Sequence, residues 1–358
     1  MPEISVIMPI YNTNPTHLKC AIESILSQTF SDFEFLILND SPKNLELDRV
    51  LSEFKDKRIK YMKSEHNLGI AEAHNKLVKL AKGKYIAIMD HDDISLPTRL
   101  EKQYTFMENH PEVGICSTAY RRFGKLLKVK TIRHPQDHET IKASLLFYCP
   151  IHHPSAIMRK DILNKFKIVY DKRFISLNDR RLYLEIAKHA QLRNLPNVLY
   201  KYRMHPMMTS KVRRNEIMNE QLQYREALLS RYAPKLTKND RNILHAYVFN
   251  GRCHITSIDT LKAILRVLKK LVQENRRTHY ADDQALKEVC GKYLIRRCKN
   301  AALKGHISSQ AVLKNPPFPV RCPLWLKLFN YFMEKMKKPV QPTPVKLPKK
   351  RKTKKARR

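Results

Sequence analysis

Two periods of apolar residues alternate along the first 120 positions. Ile4–Ile10 is a nearly unbroken apolar run, which predicts a strand buried on both faces. Over residues 17–28 the spacing changes to helical, with Leu18, Ala21, Ile22, Ile25 and Leu26 on one face. Strands are predicted over 33–38, 58–62, 85–89 and 113–120. Helices are predicted over 45–54, 70–82 and 96–109, with Gly83 just past the second and Pro97 in the first turn of the third. This alternation predicts an α/β fold with a mostly parallel sheet covered on both faces by helices.

Beyond about residue 210 the pattern is helical, over 215–232, 239–254, 258–275 and 282–303. Residues 323–338 form a short amphipathic helix candidate with Leu324, Trp325, Leu328, Phe329 and Phe332. Residues 339–358 are rich in proline and lysine and are expected to be disordered. Four parts follow: residues 1–210, a helical region 211–322, the amphipathic basic helix 323–338 and the polybasic tail 339–358.

In parallel sheets of this kind ligands bind outside the carboxyl ends of the strands. Those ends are Pro9-Ile10-Tyr11-Asn12, Asn39-Asp40, His66-Asn67-Leu68-Gly69 and Asp90-His91-Asp92-Asp93. Three carboxylates within four residues repel one another, and a hard divalent cation is the natural counter-charge. The plainer reading is a polar loop in which Asp93 or Ser95 caps the helix that follows. Asp40 suits a hydrogen bond from a base N–H or a ribose hydroxyl, or else an Asx-turn into Ser41-Pro42. Tyr11 suits stacking on a base, or a place at the edge of the core.

The segments Val6-Ile7-Met8-Pro9-Ile10-Tyr11-Asn12, 21–30, Asn67-Leu68-Gly69-Ile70-Ala71 and 81–90 resemble the family-2 glycosyltransferases. The likeness runs on through Pro150-Ile151-His152-His153-Pro154-Ser155 to Tyr202-Arg203-Met204-His205 and covers about residues 3–210. It implies a GT-A fold and transfer of a sugar, with inversion, from a nucleotide-sugar to an acceptor hydroxyl. By this resemblance Asp90 and Asp92 match the D-x-D that holds Mg²⁺ or Mn²⁺ on the donor diphosphate. His205 matches a position that completes the metal site in some members, or else is a structural histidine beside Tyr202. Asp40 matches the carboxylate that reads the base, usually uracil, and Pro9, Tyr11 and Asn12 match the pocket wall. Asn67, Gly69 and His91 join Asp90 in the nucleotide-sugar site. Asp179 falls where the family has its general base. The neighbouring acidic positions of that motif are here Asn178 and Arg181, a departure that bears on the orientation of the base and on the acceptor subsite.

Composition adds the partner. The 358 residues carry 69 Lys and Arg against 33 Asp and Glu, a formal net charge of +36. Residues 1–100 are nearly neutral, whereas residues 201–358 hold 38 basic and 10 acidic side chains. With only seven glycines, a glycine-rich phosphate loop is not expected, which suits a diphosphate held by a metal ion. The seven cysteines are irregularly spaced and lack C-x-x-C, pointing to a reducing compartment rather than a disulfide framework or zinc site. No signal peptide is expected, and no apolar run reaches the ~20 residues needed to span a bilayer. The amphipathic 323–338 segment and basic tail together suit reversible attachment to an anionic leaflet. The reading is a cytoplasmic enzyme, peripheral on the inner face of the membrane, with a glycan or glycolipid acceptor. The family's processive synthases carry membrane helices and a Q-x-x-R-W motif, both missing here, so addition of one or a few sugars is expected. Two alternatives stand beside it: an inactive relative that only binds nucleotide-sugar, and a basic nucleic-acid-binding protein. The second lacks a recognition motif and aromatics among the tail lysines.

Overall fold

The computed structural model describes residues 1–124, 129–174, 177–206, 208–249, 255 and 257–303. The predicted 323–338 helix and the 339–358 tail lie outside the described residues.

The chain runs β1 (Ile4–Ile10), α1 (Pro15–Leu26), β2 (Phe33–Asn39), α2 (Leu45–Ser52), β3 (Ile59–Lys63), α3 (Ile70–Leu80) and β4 (Tyr85–Ile88). Then come β5 (Ile94–Ser95), α4 (Arg99–Asn109), β6 (Val113–Phe123), β7 (Lys130–Ile132) and α5 (His138–Ser144). β8 (Ile157–Arg159), α6 (Lys160–Lys165), α7 (Asn178–Ile186) and β9 (Gln191–Arg203) complete the sheet region. The helices α8 (Thr209–Val212), α9 (Arg214–Tyr232), α10 (Lys238–Ile243), α11 (Ile258–Thr278) and α12 (Asp283–Leu303) follow.

The strands form one sheet in the order β3-β2-β1-β4-β8-β6-β9-β5, with β7 paired to β6. β3, β2, β1 and β4 are parallel, β8 lies antiparallel between β4 and β6, and β6 and β9 are parallel again. β1 and β2 are buried at every residue, which is why their sequences read as apolar runs. The one charge in β2, Glu34, is matched from three sides: Ser5 Oγ donates at 2.7 Å, Lys82 N at 2.6 Å and Lys60 Nζ at 2.5 Å. Two apolar clusters cover the two faces. One joins α1, α2 and α4 to the sheet, and the other joins α3, α5 and α7.

Three expected boundaries move. The helix expected from residue 96 starts at Arg99, because Ile94–Ser95 first pairs with β9 as a short strand. The helix expected over 70–82 ends at Leu80, and Gly83 packs directly on β1 instead of capping it. A Cβ on Gly83 would lie 2.5 Å from Ser5 N. The helix expected over 239–254 is α10 followed by a π-helical stretch, Leu244–Phe249.

The described residues of 1–253 and 262–290 make one compact unit, and those of 255–261 and 291–303 belong to another. Among the described residues no helix is long and apolar enough to cross a membrane.

Candidate active site

The acidic loop leaves β4 at its carboxyl end and is held by the far end of β9. Arg203 N donates to Asp93 Oδ1 at 2.7 Å, and Arg203 Nε donates to the Asp92 carbonyl at 2.6 Å. Tyr200 Oη accepts from Asp90 N at 3.3 Å. Asp93 is therefore fixed by β9 rather than by the start of α4, whose N-cap residue is Thr98. His205 follows β9, with its Nε2 at 2.7 Å from Asp92 Oδ2. The His17 ring, from the first turn of α1, lies 5.7 Å from that of His205.

Each of Asp90, Asp92 and Asp93 offers an oxygen within 4.8 Å of the others. Burial, with Asp92 nearby, pushes the Asp90 carboxyl up to about 8, and Asp93 is raised by the same causes. Without a counter-charge the group cannot hold its full negative charge at neutral pH. One cation is built in below it. Arg99 is fully buried, donates to the Ile88 carbonyl at 2.7 Å and to Gln103 Oε1 at 3.0 Å, and lies under the Tyr200 ring. Its charge partly offsets the rise at Asp90. Beside the cluster, His91 Nδ1 is buried without a hydrogen-bond partner. Clustered carboxylate oxygens and a free imidazole nitrogen fit a hard divalent cation.

A second group lies at the ends of β1 and β2. Asp40 is buried, and its carboxylate accepts from Leu68 N at 2.8 Å, Gly69 N at 2.9 Å and Ser64 Oγ at 3.1 Å. Asn67 Nδ2 donates to the Asp40 carbonyl at 3.2 Å. The carboxylate thus ties the loop before α3 to the end of β2. Gly69 takes φ +82°, a conformation side chains disfavour, to start that helix. Asn12, also at positive φ, donates its N–H to Ser41 Oγ at 2.8 Å, beside Asp40. Pro9 is buried in β1, whereas Tyr11 is 53% exposed and free to stack.

Asp179 sits in the first turn of α7, and its Oδ1 accepts from Arg180 N at 2.6 Å. Burial pushes its carboxyl up to about 6. Its charge adds to the rise at Asp90, after burial and Asp92. The departures from the family motif are turned elsewhere. Asn178 Nδ2 donates to the Phe174 carbonyl at 3.4 Å, while Arg181 pairs with Asp171 at 3.1 Å and lies over the Phe174 ring.

No sequence pattern marks Arg180, which is fully buried. Its guanidinium donates to the Leu145 carbonyl and lies 4.5 Å from the centre of the Tyr224 ring on α9. Arg99 and Arg203 were likewise unforeseen. Arg203 lies in the Tyr202-Arg203-Met204-His205 segment that carries the family likeness, though with no role attached, and Arg99 shows as a cation on the same helical face as Leu100, Gln103 and Met107.

A family model described as "Glycosyl transferase family 2" matches residues 5–166. An uncharacterized glycosyltransferase, MJ1057, of Methanocaldococcus jannaschii is 38% identical over 209 residues, 57% of this chain and 71% of the relative. The UDP-Glc:alpha-D-GlcNAc-diphosphoundecaprenol beta-1,3-glucosyltransferase WfgD of Escherichia coli is 31% identical over 203 residues, 56% of this chain and 77% of the relative. Among solved structures, S. aureus TarS 1-349 in complex with UDP is similar in fold, with a TM-score of 0.51 at 18% identity, covering 85% of this chain and 92% of that one.

Proposed function

We propose, from the premise that this chain belongs to glycosyl transferase family 2 and is a nucleotide-sugar transferase, which donor, acceptor and residues it uses. The donor is a UDP-sugar carrying a hexose or an N-acetylhexosamine. The acceptor is a hydroxyl of a cell-surface glycan or glycolipid. The WfgD name, with its UDP-glucose donor and diphosphoundecaprenol acceptor, supports both assignments. The UDP bound to the similarly folded TarS agrees with the donor assignment.

Asp90 and Asp92 would hold Mg²⁺ or Mn²⁺, with His205 beside Asp92 and His91 at the nucleotide-sugar. When bound, the ion supplies positive charge against the donor diphosphate. Asp40, Asn67 and Gly69 shape the base and ribose side of the site, and Pro9, Tyr11 and Asn12 its wall. Asp179 takes the proton from the acceptor hydroxyl as its oxygen attacks the anomeric carbon. The bond from that carbon to the diphosphate oxygen breaks, and the leaving UDP keeps the electron pair. One displacement inverts the centre and needs no covalent intermediate.

The observation that carries this reading is the position of Asp179. Desolvation raises the proton affinity of its carboxyl to about 6, and its charge is felt at Asp90 of the acidic loop. A base in that range is ionised at neutral pH and still basic enough to accept a proton. The Asp179→Asn variant is expected to bind UDP as the wild type does and to lose sugar transfer. Wild-type turnover by that variant would overturn the assignment. A chain that binds UDP but transfers from no UDP-sugar, with or without Mn²⁺, would instead be an inactive relative.

The transferase part is residues 1–210, and α9 after it backs Arg180 through Tyr224. Residues 323–358 would place the enzyme at the inner face of the cytoplasmic membrane.

A further inference from the structure

Helix α11 distributes its charge unevenly. Ile264, Val267, Leu268, Leu271 and Val272 are buried and define its inward side. Lys262, Arg266, Lys269 and Gln273 are exposed, at spacings of four, three and four residues. Such spacings place them in one row along the outward side, about 16 Å long at 1.5 Å per residue. The remaining cations of this helix are neutralised: Lys270 pairs with Asp240 at 2.8 Å, Arg277 with Glu274 at 2.8 Å and Arg276 with Asp283 at 3.1 Å. Among the described residues, Lys262, Arg266 and Lys269 have no carboxylate within ion-pairing distance. They line one open depression together with Leu265, Lys270 and Gln273.

We propose that this row is a docking face for the anionic surface of a phospholipid bilayer. The apolar side of α11 is committed to the protein's own core, so the helix does not insert. Its attachment is electrostatic, between fixed cations and lipid phosphates. A straight row of ammonium and guanidinium groups matches a flat layer of charge. Single-stranded nucleic acid would call for stacking aromatics among the cations, and the row contains none. The inference deepens the proposed function, because a lipid-linked acceptor lies in that same surface. It adds a folded contact that does not depend on residues 323–358.

The test is vesicle sedimentation with the full chain and its Lys262→Gln/Arg266→Gln/Lys269→Gln variant. The vesicles are phosphatidylglycerol mixed with phosphatidylcholine, or phosphatidylcholine alone. Each cation close to an anionic leaflet contributes about fivefold in partitioning, so the triple variant should bind the anionic vesicles on the order of a hundredfold more weakly. Raising the salt should erase the difference, and neither protein should bind the neutral vesicles. The melting temperature and transfer to a soluble acceptor should stay at wild-type values. Equal partitioning of the two proteins on anionic vesicles would overturn the proposal. So would a loss confined to binding of a single-stranded oligonucleotide. A failure of sugar transfer with the vesicle difference intact would overturn the proposed function and leave the docking face standing.

Discussion

His205 Nε2 and Asp92 Oδ2 lie 2.7 Å apart, although 113 residues separate them in the chain. The contact is made because β9 runs along the sheet to the end of β4 and delivers Tyr200, Arg203 and His205 in turn to the acidic loop. The carboxylates thus come from the middle of the sheet region of the chain and the groups that steady them from its end.

Removing the imidazole should loosen the cation site without dismantling it. The His205→Ala variant is expected to bind Mn²⁺ about 10–100-fold more weakly, the usual effect of losing a group that orients a ligand. Titration of free Mn²⁺ by electron paramagnetic resonance, with no donor present, measures this directly. An unchanged affinity would assign His205 a purely structural role.

The raised proton affinity of Asp179 has two consequences of opposite sign. Below pH 6 its carboxyl is protonated and cannot act as a base, so kcat/KM should fall on the acid side with a midpoint near about 6. For stability the same shift works in reverse. A carboxyl whose folded value is raised favours the native state at low pH, and this contribution is lost as the pH rises through about 6. At pH 7 the Asp179→Asn protein should therefore be more stable than wild type by about 1–3 kcal/mol, and at pH 3 no more stable. Urea unfolding at the two pH values checks this. Equal stability at pH 7 would show that the carboxyl is not strained by burial.

Arg99 is a buried cation with carboxyls above it and carbonyls around it. The Arg99→Met variant should lose about 3–5 kcal/mol, because Asp90 is left without the buried cation that offsets its charge. Adding Mn²⁺ should return part of this in thermal unfolding. A variant as stable as wild type in metal-free buffer would contradict the balance described.

Gly83 tests backbone packing rather than charge. A methyl group there would meet the backbone nitrogen of Ser5 at 2.5 Å. Gly83→Ala should cost about 1–3 kcal/mol as β1 and the turn before β4 are forced apart. Denaturant midpoints of the two proteins report the difference.

The sequence displayed what local periodicity can encode. β1 and β2 are buried at every position, so their apolar runs and the polar residues at their ends stood out. β8 has only three residues, too few for any period. β9 is broken by a bulge around Pro196, so its 13 residues never alternate cleanly. β8 is the strand that turns a parallel sheet into a mixed one, and β9, parallel to β6, brings Tyr200 and Arg203 to the site. The acidic loop and Asp179 were legible because they match a known motif. Arg99 and Arg180 were not, since a buried arginine becomes meaningful only when the carbonyls that receive it are known.

The seating of Arg180 limits how this enzyme can be trimmed. The residue after Asp179 rests against Tyr224, and the neighbouring Arg225 donates to the Phe147 carbonyl at 3.2 Å. A fragment cut after β9 would lose His205 and leave a bare guanidinium beside Asp179. The shortest piece worth expressing therefore reaches through α9, and exchanging that helix between relatives would alter the working end of the enzyme from behind.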